Sequence, residues 1–165
     1  MQGGGPSELF AQLVESLNPG VQVDQTLAPL ICTGILGAPG HLVEVRHQVE
    51  RWAARTGLPA PGVADLVLSS YEALANAAEH AYPSGHGPVD LVAVRTTDGR
   101  VLVTISDCGR WRPPPADPGF RGRGLLMIKA LAHRVEVKQG AQGTTVHMEW
   151  TLAVTGPGSG TAQHE

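Results

Sequence analysis

With 165 residues, 42% of them hydrophobic and 16% charged, the chain can pack one ordinary core, which excludes a disordered polymer. A formal charge of −3 with no long basic run argues against nucleic acid as a partner. Cys32 and Cys108 match neither a metal spacing nor a disulfide framework, no apolar run approaches the ~20 residues that span a bilayer, and MQGGGPSELF does not read as a signal peptide, so a cytoplasmic protein with no membrane partner is expected.

Taken in chain order, residues 1–25 read as an extension outside the core. A short amphipathic helix is expected at 7–17, with Ser7 as N-cap and Leu9, Leu13 and Leu17 at helical spacing. TLAPLICTGILG (26–37) predicts a strand, punctuated by Gly37 and Pro39. HLVEVRHQVERWAARTG (41–57) predicts a helix with Leu42, Val45, Val49, Trp52 and Ala53 on one face, stopped by Gly57 and Pro59. A second helix is expected from about Gly62 to Ala81. Its wheel gathers Val63, Leu66, Val67, Ser70, Leu74, Ala77, Ala78 and Ala81 on one arc, with Asp65, Ser69, Glu72, Asn76, Glu79 and His80 opposite. PVDLVAVRTTDGRVLVTISD (88–107) is a hairpin about Asp98-Gly99. A proline- and glycine-rich loop (108–124), a third helix (125–133) and two strands, 134–139 and 144–154, around GAQG complete the order. Short turns between consecutive strands favour an α+β, two-layer sandwich whose mixed, largely antiparallel sheet is covered on one face by helices. The domain then occupies 26–153, with a disordered tail at 154–165.

Four blocks are candidates for chemistry. In YEALANAAEHAYP (71–83), Glu72 and Asn76 stand one turn apart on the polar side of the second helix. Asparagine is a poor helix-interior residue because its amide competes for backbone hydrogen bonds, so its place there asks for a reason. An amide oxygen is a hard, neutral ligand suited to Mg²⁺, and a carboxylate one turn away can orient or deprotonate a hydroxyl. Taken alone, the pair also fits a solvated helix face. ISDCG (105–109) puts Asp107 at a strand tip, where Gly109 lets backbone come close to a ligand. A buried carboxylate there would accept from the exocyclic amine of adenine and refuse the oxygen of guanine; a plain Asp-Gly turn is the other reading. RGRGLLMIK (121–129) sets Gly122 and Gly124 before a helix, with Arg121 and Arg123 adding positive charge. That suits phosphate as well as a simple hinge, and it is neither a Walker A nor a dinucleotide fingerprint. GTT (143–145) enters a strand with hydroxyls that could reach a base, or only with β-branched residues.

In this order and on these elements, the blocks resemble the ATP-binding domain shared by histidine kinases, Hsp90, gyrase B and MutL. EALANAAEHAY is similar to that superfamily's N box, DCG to its first glycine box, RGRGL to its second and GTT to its closing motif. The Glu-x3-Asn-Ala-x2-His-x-Tyr form, the short lid and the G-x-G-x3-Ile stretch resemble the small anti-sigma-factor serine kinases of bacteria, over about residues 26–152. The resemblance implies ATP and Mg²⁺, with Asn76 as metal ligand and Glu72 as catalytic base. It implies Asp107 on the adenine amine beside Gly109, Thr144 supporting that contact, and Arg121, Gly122, Arg123, Gly124 and Leu125 around the phosphates. His80 takes the N-box histidine position. The implied activity is serine/threonine kinase action on an anti-sigma-factor antagonist, with a sigma factor as alternative partner and a homodimer as the assembly. Two features depart from the pattern: Trp111 stands where the second glycine of Asp-x-Gly-x-Gly is usual, and the short lid, about Arg110 to Arg121, holds Pro113, Pro114 and Pro115. They keep open a second reading, an ATP-sensing interaction module without catalysis.

Overall fold

Period-two runs of β-branched residues build the sheet. Its strands are β1 (Leu30–Ile35), β2 (Val89–Arg95), β3 (Arg100–Asp107), β4 (Arg134–Gly140) and β5 (Gly143–Thr151), in the spatial order β1-β2-β3-β5-β4. The computed structural model describes residues 11–12, 14–16, 18–82, 87–110 and 123–153. Expectations for Ser7, Leu9, Leu13, Leu17, Trp111, the lid prolines, Arg121, Gly122, the His80 side chain and the tail lie outside the described residues. Each ladder between described strands is antiparallel, so the mixed character allowed by the sequence does not appear among them. The β2–β3 hairpin turns through Asp98-Gly99 as expected, with Gly99 at φ 81°. The first strand is shorter than predicted, Leu30–Ile35 rather than 26–37, and its register with β2 shifts between Cys32 and Ile35.

Among the described residues, the helices α1 (Pro39–Ala53), α2 (Ala60–His80) and α3 (Gly124–Leu131) pack with the sheet. Two prolines read as stops act as starts. Pro39 opens α1 and Pro59 is the N-cap of α2, positions where a missing N–H costs nothing. The predicted face of α1 is the buried one: Leu42, Val45, Val49, Trp52 and Ala53. They join Leu66, Leu74, Leu91, Ile105, Ile128, Met148 and Trp150 in the main core. Both core indoles find acceptors, Trp52 Nε1 donating to Ala28 O at 2.8 Å and Trp150 Nε1 to Leu131 O at 3.1 Å. Helix α2 is central, touching α1, α3, β2, β3 and β5. That position corrects one expectation: Ser69, assigned to the polar side, is fully buried, as is Ser70, and neither hydroxyl has a hydrogen-bond partner among the described residues. Neighbours on both flanks narrow the polar strip of the wheel.

The outer face of the sheet is not bare. Val14, in a helical stretch of the N-terminal segment, is buried with Val92, Val94 and Leu102, against Val21 and Val23. The residues that alternate with these valines on β2, Leu91 and Ala93, belong to the main core. The segment read as lying outside the core thus supplies part of a second, smaller one.

A polar clasp ties the same segment down. Arg95 donates from Nε and Nη2 to Asp24 Oδ2 at 2.8 and 2.6 Å, and from Nη1 to Thr56 O at 3.2 Å. The Thr26 hydroxyl and amide, with Arg95 behind them, hold the Asp24 carboxyl down to about 2 from the usual 3.8. A lowered folded-state value means stability that is present above the unfolded value and lost as pH falls through about 2. Asp24→Asn is therefore expected to melt below the wild type at pH 7, with the gap closing as melting is followed down towards pH 2.

Candidate functional site

The site forms where four chain segments meet at the ends of β3 and α2. Asp107, the last residue of β3, is buried, and its Oδ1 accepts from two amides, Gly109 N at 2.9 Å and Thr144 N at 3.3 Å. Oδ2 takes neither bond. Burial pushes this carboxyl above its ordinary range, opposed by the two amides. The register pairs Asp107 with Thr144 across β3 and β5, and the Thr144 backbone N–H donates to the carboxylate, whereas the sequence pointed to the Thr144 hydroxyl.

The strand tip is stitched to the end of α2. Arg110 N donates to Ala81 O at 2.7 Å, and a Cβ on Gly109 would fall 2.0 Å from that oxygen, so no larger residue fits. Gly109 thus serves approach between backbones within the fold. One turn further back on α2 lie Asn76 and Glu72, both half-buried. They converge on the start of α3: a Cβ on Gly124 would stand 2.8 Å from Asn76 Nδ2, 3.3 Å from its Oδ1 and 3.3 Å from Glu72 Oε2. The N-cap residue of α3, Arg123, makes no side-chain capping bond to the helix, and the positive end of α3 lies beside the Glu72/Asn76 pair. Arg123 precedes it, exposed, and Leu125 follows, 39% exposed.

The sequence-selected residues fall into two groups along α2: Asp107, Gly109 and Thr144 at the β3 tip beside Ala81, and Glu72, Asn76 and Gly124 at the α2–α3 junction, with Arg123 and Leu125 the chain neighbours of Gly124; His80 ends α2 between them. Among the described residues no three His, Cys, Asp or Glu side chains gather as a metal cage. A buried acceptor at one end, and an amide beside a helix start at the other, suit a purine base and a polyphosphate.

The family model for the histidine kinase-like ATPase domain matches residues 35–150, most of the chain. The chain belongs to this family. In this histidine kinase-like ATPase domain, the sheet and helices that place Asp107 and Asn76 are the family's fold. Among solved structures, it is similar to the RsbU and RsbW domains of Rv1364c from Mycobacterium tuberculosis, at 28% identity and a TM-score of 0.62, over 76% of this chain and 32% of that one. The Erythrobacter litoralis EL346 blue-light activated histidine kinase matches at 20% identity and a TM-score of 0.50, over 68% of this chain and 41% of that chain. Its histidine kinase domain alone matches with the same identity and score, over 88% and 70%. At that identity the likeness concerns the fold. The ATPase domain thus spans 32% of the first of these chains and 41% of the second.

One residue escaped the sequence reading. Tyr82, two residues past the end of α2, gives its hydroxyl proton to Pro88 O at 2.5 Å and accepts from Cys108 N at 3.1 Å. Its place in the N-box pattern was visible; its partners, 6 and 26 residues away, were not.

The contact at Gly124 gives a direct test. A methyl there would push on the free ends of Asn76 and Glu72, which can swing aside, so the fold should tolerate it. Gly124→Ala is expected to keep its melting temperature and to lose about tenfold in Mg-ATP affinity by calorimetry, the scale of one displaced polar contact.

Proposed function

We propose that this ATPase domain is an anti-sigma-factor-type serine/threonine kinase that binds Mg-ATP and phosphorylates a serine of an anti-sigma-factor antagonist. The observation that carries the reading is the convergence of Glu72 and Asn76 on the start of α3 at Gly124. In this reading Asp107 accepts from the adenine amine, and Thr144 N and Gly109 N keep its carboxylate oriented. The α3 amides, with Arg121, Gly122, Arg123 and Leu125 about them, take the phosphates, and His80 sits alongside. Asn76 offers its amide oxygen as ligand for Mg²⁺, which when bound would neutralise phosphate charge in the transition state. Glu72 takes the proton of the attacking serine hydroxyl; the serine oxygen bonds to the terminal phosphorus as the bond to the bridging oxygen breaks, and ADP leaves.

The similarity to the RsbU and RsbW domains supports partner switching, in which the same domain alternately holds a sigma factor. A homodimer in the cytoplasm is the assembly proposed. No helix among the described residues is long and apolar enough to cross a membrane. The test is transfer of label from ATP to a serine of the antagonist by purified protein with Mg²⁺. Transfer is expected; ATP binding without transfer to any antagonist would overturn the kinase. Trp111 and the lid prolines favour that second outcome, an ATP-sensing interaction module.

A further inference from the structure

Asp107 can choose a base only if its strand tip keeps a fixed distance from the helix that carries Asn76. Three contacts set that distance. Two are backbone contacts at Ala81, already described. The third is the Tyr82 hydroxyl, which joins Pro88, just before β2, to Cys108, just after Asp107. Because Val89 pairs with Asp107, the hydroxyl bridges the ends of two neighbouring strands and ties both to α2. The ring lies against Gly87, where a Cβ would fall 2.2 Å from its Cε1 and Cζ. Burial, then the nearby Asp107 and Asp90 charges, push the phenol above its ordinary range against the Cys108 amide, so the proton needed for the bond to Pro88 stays in place.

We infer that Tyr82 is a positioning residue for base selection, holding the Asp107 tip in register with the Glu72/Asn76 helix through its hydroxyl. The inference rests on the reading of Asp107 as the adenine acceptor. Without the bridge, Cys108 N loses its partner, the tip can shift relative to α2, and the carboxylate no longer meets the purine edge at a fixed place. The side chains beside Gly124 at the start of α3, Asn76 and Glu72, do not include Tyr82, so phosphate contacts there are expected to be kept.

The experiment measures Mg-ATP and Mg-GTP dissociation constants for the wild type, Tyr82→Phe, Gly87→Ala and Asp107→Asn, with melting temperatures alongside. Tyr82→Phe removes the hydroxyl and keeps the ring; Gly87→Ala keeps the hydroxyl and displaces the ring. Each is expected to weaken ATP about tenfold, the scale of one lost hydrogen bond in a confined site, and to leave GTP nearly unchanged, so that the ATP-to-GTP ratio falls. A purely structural role would lower the melting temperature and weaken both nucleotides alike, which would overturn the inference. So would an unchanged ratio in both variants while Asp107→Asn loses it. If the wild type itself shows no preference for ATP, the adenine reading of Asp107 falls, and the inference with it.

Discussion

Asp107→Asn is expected to bind Mg-ATP about 100-fold more weakly than the wild type, the scale of losing a charged acceptor and facing a donor with a donor. The same variant should fold at least as well. Its Oδ1 can still accept from Gly109 N and Thr144 N, so no amide is orphaned. What changes is the other end of the group: an NH₂ now faces the adenine amine. Guanine offers an oxygen at that position, so GTP should lose less or gain, and the preference should narrow or invert. Stability should move the other way. The carboxyl of Asp107 is raised by burial, so its charged form at neutral pH costs folding free energy, relieved as pH falls through its folded value. The neutral amide carries no such cost. Without nucleotide, the variant should melt at or above the wild type at pH 7, with the difference shrinking in acid. With nucleotide the order reverses, since ligand at about 100 times its dissociation constant adds roughly 2.7 kcal/mol to whichever protein binds it. A variant weaker in both states would show that Asp107 serves the fold alone.

Glu72→Gln is expected to separate binding from chemistry. The amide has nearly the shape of the carboxylate, so the contact with Gly124 is kept and the α2–α3 junction should hold. Mg-ATP affinity, which the proposed reading assigns largely to Asp107 and the phosphate contacts, should change less than about threefold. Transfer to the antagonist should fall by about 10² to 10⁴, the contribution of a positioned general base. Single-turnover measurements with saturating ATP make the distinction, because they see the transfer step directly. Unchanged transfer would remove Glu72 from the chemistry; a matching loss of ATP binding would place it in the nucleotide contact. Asn76→Ala should lose both properties, since its amide lies beside the start of α3.

Most of the fold could be read from local pattern. The period of α1 named its five buried residues, and Asp98-Gly99 marked the hairpin, because in both cases neighbours in sequence decide the structure. Glu72 and Asn76 were legible for the same reason: one helical turn fixes their common direction. The role of Thr144 was half legible. GTT marked the strand, but only the β3–β5 register reveals that an amide does the holding. Ser69 went wrong because a helical wheel assumes one buried side, and α2 has neighbours on both flanks. Tyr82 stayed hidden because its meaning lies in two partners that only the folded chain brings within reach.

The small cluster of Val14 with Val92, Val94 and Leu102 bears on how much of the chain must travel together. Trimmed to begin at residue 26, as the sequence pattern alone would advise, the protein would expose an apolar stripe on the second face of a five-stranded sheet. Such stripes recruit whatever oily surface comes first, usually another copy. Val14, Val21 and Val23 therefore cover that stripe, and a protein lacking them is expected to aggregate more readily than the full chain.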